Sequence, residues 1–388
     1  MRRVLAGARV FTGDRIVDGH AIVTEGPRIT AVLPVADAPA DPPPRRLPAD
    51  ALLVPGFLDL QVNGAGGVLF NDAPTLDTAL AIAAVARRTG TTGVLPTLMT
   101  DDRAKMRRAC EATALATARP NSGVLGVHLE GPFLSRERPG VHPPERMRRP
   151  DPEDIEFLVA ARRAGDRGRM LLTLAPECVD DADLARLAAA GITLAAGHTA
   201  ATVERTREAL AAGVRGFTHL FNAMPPVINR QPGPVVAALA DPDAWCSVIA
   251  DGVHVHPALL RLLVQVKPRG KVVLVTDAMP PSGTAATSFT LFGRAIRRDS
   301  GRLVTEDGTL AGADIDMAAS VRNCVQLLEL PVEESLRMAS LYPACYVGLD
   351  DERGRVAPGY RADLTLLGPD LTVLATWVGG DEQWYGPA

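Results

Sequence analysis

Residues 170–220 read MLLTLAPECVDDADLARLAAAGITLAAGHTAATVERTREALAAGVRGFTHL. Three apolar runs, at 170–174, 192–196 and 216–220, are separated by Ala/Arg/Leu-rich stretches at 181–190 and 202–212. Short, near-continuous apolar runs are what parallel strands buried on both faces require, and the stretches between them suit crossover helices. The same alternation extends outward in both directions. Further strands are predicted at 52–60, 93–98, 124–129, 246–250 and 272–276, with helices at 75–89 and 103–118. Eight strand–helix alternations predict an α/β protein with a (β/α)₈ TIM-like barrel, and a doubly wound open sheet is the runner-up.

The ends of the chain have a different texture. The first fifty residues are short β-rich runs broken by Gly-Asp and Gly-Pro, followed by a Pro-rich connector at 39–48. Beyond the eighth strand come a Gly-punctuated, hairpin-bearing stretch at 282–312 and helices at 317–330 and 332–341. The tail returns to short strands at 363–367 and 373–378. The predicted division is a small β-sandwich from residues 1–51 and 352–388, built from both termini, and a barrel over 52–351.

Composition narrows the functional classes. The 388 residues carry 41 Lys+Arg against 45 Asp+Glu, a net charge of −4, which argues against a nucleic-acid binder. With 47% hydrophobic and 22% charged residues the chain is globular and not disordered. No run approaches the ~18 apolar residues of a membrane span. The basic Met1-Arg2-Arg3 is followed by an apolar stretch that Gly7 and Arg9 cut too early for a secretory leader. Five scattered cysteines, never paired as C-x-x-C, fit reduced thiols in a cytoplasmic protein.

Polar residues collect at the C-terminal ends of the predicted strands: Asp59, Gln61 and Asn63, then His128 and Glu130, His198, His219 and Asn222, Asp251 and His254, and Asp277. In a parallel barrel these ends converge on the face where active sites lie. A lone histidine after an apolar run is more often a structural hydrogen-bonding group. A carboxylate at the mouth of a buried strand is costly unless it is paired or bound to a cation. Glu130, His198 and His219 offer one oxygen and two nitrogens, a three-ligand set for one divalent ion. Zn²⁺ is the expected metal, and Fe²⁺, Mn²⁺ and Co²⁺ suit the same donors. Asp277 would face the metal's water as general base and acid.

Several stretches carry a family resemblance. Pro55-Gly56-Phe57-Leu58-Asp59, Gly197-His198-Thr199 and Pro358-Gly359-Tyr360-Arg361-Ala362-Asp363-Leu364 resemble the amidohydrolase superfamily. More narrowly, the chain is similar to the N-acetylglucosamine-6-phosphate deacetylase family. The matching stretches begin with Gln61-Val62-Asn63-Gly64-Ala65-Gly66-Gly67 and His128-Leu129-Glu130-Gly131-Pro132-Phe133-Leu134. They continue with Thr218-His219-Leu220-Phe221-Asn222-Ala223-Met224-Pro225, Asp251-Gly252-Val253-His254 and Thr276-Asp277-Ala278-Met279. The resemblance runs over nearly the whole chain.

It implies a homodimeric enzyme that hydrolyses the acetamide of an amino-sugar phosphate, releasing acetate, in amino-sugar catabolism or cell-wall recycling. Residue by residue, it implies Glu130, His198 and His219 as metal ligands and Asp277 as acid–base. His142 would polarise the acetamide carbonyl, while Asn222, Ala223, Arg230 and His254 would hold the sugar phosphate. Arg230 suits a phosphate because its planar fork matches the dianion. Ile315 and Met317 are candidates for an apolar wall around the acetyl methyl, with core packing as the alternative. Many superfamily members have His-x-His after strand one, where this chain has Gln61 and Asn63. Neutral amides are poor ligands, so one tightly held ion is expected, with Gln61 and Asn63 acting through hydrogen bonds or a water.

Three other readings compete. One is a different amidohydrolase, such as a deacetylase for the galactosamine epimer or a cyclic-amide hydrolase. The others are a non-catalytic barrel and a sugar-phosphate sensor, which the intact ligand set and the net charge respectively disfavour.

Overall fold

The computed structural model describes residues 1–164 and 168–386. Its centre is one eight-stranded parallel sheet in which every strand neighbours the next in sequence: β1 (Phe57–Val62), β2 (Thr91–Met99), β3 (Gly126–Glu130), β4 (Arg169–Leu174), β5 (Thr193–Ala196), β6 (Val214–Phe217), β7 (Trp245–Val248) and β8 (Val272–Leu274). The sheet curls shut where the chain leaving β8 meets β1. Val62 and Ala278 form a parallel bridge, Asp277 N–H donates to Gln61 O at 2.9 Å, and Asn63 N–H donates to Ala278 O at 2.9 Å. Asp59 staples the same seam, accepting from Thr276 Oγ1 at 2.5 Å and from the Gln61 and Thr276 amides. Sequential order with closure is the barrel, and it excludes the doubly wound alternative.

Helices follow the strands. Those at Leu76–Arg87, Arg103–Ala118 and Val203–Ala211 start on Thr75, Asp102 and Thr202, whose side chains accept the orphan amides of Thr78, Lys105 and Arg205. Among the described residues, no helix is long and apolar enough to cross a membrane.

The terminal strands form their own two sheets. One runs Arg28–Pro34, His20–Glu25, Arg2–Ala6, Arg45–Arg46; the other runs Asp381–Trp384, Val373–Val378, Leu364–Leu367, Leu52–Pro55, Arg9–Phe11, Ile16–Val17. Leu5, Ile22, Leu53, Leu364, Leu366 and Trp377 pack into a cluster of their own. The run predicted as one strand over 52–60 is therefore two. Leu52–Pro55 pairs with Arg9–Phe11 and Leu364–Leu367, and the barrel begins only at Phe57. The switch occurs at Gly56, where an added Cβ would lie 2.1 Å from Thr92 Oγ1. Both halves are apolar and buried, so hydrophobicity alone could not divide them.

The stretch after β8 is a four-stranded antiparallel meander, Ser288–Leu291, Arg294–Asp299, Arg302–Val304 and Leu310–Ala313. Its Leu291, Ile296, Leu303 and Ala311 pack on Leu69, Met99, Val141 and Met279, which seats the meander against the barrel mouth.

Candidate functional site

Glu130 is the last residue of β3, and its carboxylate is the hub of the mouth. Its Oε1 lies 2.9 Å from His219 Nε2 and 3.3 Å from His198 Nε2, and its Oε2 lies 3.7 Å from His142 Nε2. The ligand atoms of Glu130, His142 and His198 all fall within 4.8 Å of one another. His198 and His219 come just after β5 and β6, and His142 comes from the loop that follows β3. All four side chains are buried.

Asp277 enters from the chain after β8. Gln61 Nε2 donates both to Glu130 Oε1 (3.1 Å) and to Asp277 Oδ1 (3.0 Å), and Asn63 Nδ2 donates to Asp277 Oδ1 at 2.6 Å. The two amides thus bind the carboxylates through hydrogen bonds, and both grip the same Asp277 oxygen. His198, His219 and Asp277 have φ of 48°, 32° and 53°. Non-glycine residues in this left-handed region carry backbone strain on the order of 1–3 kcal/mol, which proteins retain mainly at functional sites.

Electrostatics separates the two acids. Burial would raise Glu130, but the facing His198 and His219 imidazoles outweigh it and hold its carboxyl well below the usual range. Asp277 is pushed up to about 6 by burial and by the charge of Glu130. One carboxylate is held charged and the other is poised to take a proton, the division expected of an electrostatic anchor beside an acid–base group.

The donor set fits a divalent cation. A buried carboxylate ringed by imidazoles suits a metal of intermediate softness. The Nδ1 of His198 lies 3.0 Å from the Arg138 carbonyl oxygen, which only accepts, so its Nε2 presents a lone pair towards Glu130. His219 Nδ1 is buried with no hydrogen-bond partner among the described residues, and its Nε2 faces the cluster.

The cluster forms one side of a cavity of about 400 Å³. Asn222, Ala223 and His254 line it as well, and His254 Nδ1 is oriented by Asp251 Oδ2 at 2.6 Å. Met99, Val141, Ile249, Met279 and Leu310 add an apolar part to the cavity wall. Ile315 and Met317 are not in that wall. They belong to the main core and border a separate small cavity. These wall residues come from five different segments; Val141, Ile249 and Met279 lie within two places of His142, Asp251 and Asp277, while Met99 and Leu310 lie beside no residue that the sequence singles out.

Arg230 is exposed on the loop before the Gly233–Ala240 helix and does not line the cavity. No Lys or Arg does, among the described residues. Two other polar strand-end residues have structural posts. His128 lies inside the barrel between Thr97 and Thr173, and Asp59 closes the seam.

Comparison with known proteins places this geometry. Residues 52–382 match the amidohydrolase family and residues 4–47 match the NagA composite domain. An N-acetylgalactosamine-6-phosphate deacetylase from Shewanella sp. (strain ANA-3) is 38% identical over 97% of this chain and 94% of its own length. An N-acetylglucosamine-6-phosphate deacetylase from Haemophilus influenzae is 33% identical over 98% and 99%. Among solved structures, the N-acetylglucosamine-6-phosphate deacetylase from Pasteurella multocida superimposes with a TM-score of 0.94 at 34% identity, covering 99% of this chain and 100% of that one. A mutant of the Mycobacterium smegmatis enzyme, in complex with N-acetyl-D-glucosamine-6-phosphate, does so with a TM-score of 0.89 at 34% identity, covering 98% and 99%.

Proposed function

The chain belongs to the amidohydrolase family, and from that premise we propose that it hydrolyses the acetamide of N-acetyl-D-glucosamine 6-phosphate to D-glucosamine 6-phosphate and acetate. The observation that carries the reading is the pairing across one cavity of a Glu130–imidazole cluster with an Asp277 raised to about 6. Relatives of both epimer classes resemble the chain over nearly their full length, and the galactosamine enzyme at 38% identity keeps the epimer as a second reading.

In the proposed mechanism Glu130, His198 and His219 would hold one divalent ion, which would supply Lewis acidity for the attacking water and the acetamide carbonyl. Zn²⁺ is the ion we propose, and Fe²⁺, Mn²⁺ or Co²⁺ would meet the same donors. Asp277 takes the proton of the attacking water on Oδ2, because Gln61 and Asn63 both occupy Oδ1. His142 donates a hydrogen bond to the carbonyl oxygen as it gains charge. Asp277 then passes the proton to the departing nitrogen, so that one amide and one water become acetate and amine. The apolar wall excludes water from the side where the acetyl methyl sits, while Asn222, Ala223 and His254 face the sugar.

A phosphate dianion in this cavity meets no Lys or Arg side chain of its own subunit among the described residues. Arg230 sits on an exposed loop beside Val227 and Ile228, which are 55% and 50% exposed. This arrangement supports a homodimer in which Arg230 crosses to the partner's cavity and binds the phosphate. The proposed setting is cytoplasmic amino-sugar catabolism or cell-wall recycling, with a small-molecule substrate and no nucleic acid or membrane partner.

The test is acetate release from N-acetylglucosamine 6-phosphate, N-acetylgalactosamine 6-phosphate and the two unphosphorylated sugars, with and without a chelator. The reading requires chelator-sensitive release that prefers the phosphorylated glucosamine substrate. Preference for the galactosamine substrate selects the second reading, and release from neither rejects both.

A further inference from the structure

The Met99–Thr100 peptide, at the end of β2, is held from both sides by buried groups. On one side Asn71 Nδ2 donates to Met99 O at 3.0 Å, while Asn71 Oδ1 accepts from Met99 N–H at 2.9 Å. On the other side Thr100 N–H donates to His142 Nδ1 at 3.3 Å, and Thr100 Oγ1 lies 2.9 Å from the same nitrogen. Asn71, Thr100 and His142 are 1%, 1% and 3% exposed, so water does not compete for these bonds.

A backbone amide cannot reverse its role. A ring nitrogen that accepts from an N–H carries a lone pair, and the proton of the neutral imidazole must then sit on the other nitrogen. For His142 that is Nε2, the atom facing Glu130. His198 is held the opposite way, since the Arg138 carbonyl at 3.0 Å requires the proton on its Nδ1. Two rings with centroids 4.4 Å apart are therefore fixed in opposite tautomers by one backbone amide and one backbone carbonyl.

We infer that Thr100 and Asn71 are positioning residues that lock His142 as an Nε2–H donor and keep it from becoming a metal ligand. Glu130, His142 and His198 are close enough in space to share an ion. The hydrogen bonds on the far side of each ring decide which imidazole ligates and which donates. Asn71 orients the peptide plane, and the Thr100 amide and hydroxyl read that orientation out at Nδ1. The inference deepens the proposed mechanism and rests on it for the purpose of the donor, but the tautomer itself is measurable without substrate.

The test is nitrogen-15 NMR of histidine-labelled, zinc-loaded protein, with the His142 resonances assigned by their loss in His142→Gln. The expected spectrum has the proton on Nε2 of His142 and on Nδ1 of His198. Thr100→Val, which deletes the hydroxyl and keeps the amide, should retain bound zinc and KM but lose about tenfold in kcat, the worth of one hydrogen bond in the transition state. Thr100→Ser should restore it. A His142 proton on Nδ1 or a zinc-bound His142 Nε2 overturns the inference, and a fully active Thr100→Val protein overturns the part of it that assigns the hydroxyl. If Thr100→Val does not fold, the wild-type spectrum decides. Absence of acetamide hydrolysis alongside the expected spectrum would reject the functional reading and leave the tautomer assignment standing.

Discussion

Asn63 Nδ2 donates to Asp277 Oδ1 across 2.6 Å, which pins one carboxylate oxygen and leaves the other free to exchange a proton. Deleting that carboxylate function should stop the chemistry and spare the architecture. Asp277→Asn is expected to keep its bound metal and lose a factor on the order of 10² or more in kcat, as removal of an acid–base group does. Steady-state kinetics together with metal analysis would check this, and near-normal turnover would take Asp277 out of the role.

The amides at Gln61 and Asn63 already spend their N–H groups on Glu130 and Asp277. Protein purified without added zinc should therefore carry one tightly held ion per chain. Exhaustive chelation should abolish acetate release, and one equivalent of Zn²⁺ should restore it. Two ions surviving dialysis against a weak chelator would overturn the mononuclear reading.

Arg230 stands outside the cavity of its own chain. Arg230→Ala should raise KM for the phosphorylated substrate by on the order of 30-fold, as loss of a charge-assisted pair does, with little change for the unphosphorylated sugar. Mixing Arg230→Ala with Asp277→Asn subunits distinguishes the routes. An arginine acting across the interface leaves each hybrid dimer with one intact site, whereas an arginine acting within its own chain leaves every hybrid site with one of the two defects, so that mixing restores nothing.

Asp154 opens the helix Pro152–Ala164, its side chain fully shut from solvent between Arg103 and Arg148. Burial would raise its carboxyl, but the hydrogen bonds from Arg148 and Arg103 outweigh it and hold it below the usual range. A folded-state pKa below the unfolded one gives stability that is complete above about pH 4 and is lost as pH falls through the folded value. Asp154→Ala should cost about 3 kcal/mol at pH 7, because it leaves two guanidinium groups facing a vacated partner. The gap from the wild type in urea unfolding should narrow towards pH 3. A gap independent of pH would assign the loss to packing.

The alternation of apolar runs with Ala/Arg/Leu-rich stretches determined the barrel, because buried parallel strands and amphipathic helices each leave a local pattern. The same strands put Glu130, His198, His219 and Asp277 at their C-terminal ends, and a parallel barrel sends all such ends to one face. Tertiary structure decided what local pattern does not encode. A near-continuous apolar run, 52–60, was split between two sheets at Gly56 because its first half pairs with Arg9–Phe11 and Leu364–Leu367 and its second half with Thr91–Met99, none of them adjacent in sequence. The apolar lining of the cavity comes from Met99, Val141, Ile249, Met279 and Leu310, while Ile315 and Met317 lie in the main core, since segments remote in sequence meet only when the barrel closes. The tautomers of His142 and His198 depend on a single amide and a single carbonyl contributed by Thr100 and Arg138, and a histidine in a sequence does not say which nitrogen is bare.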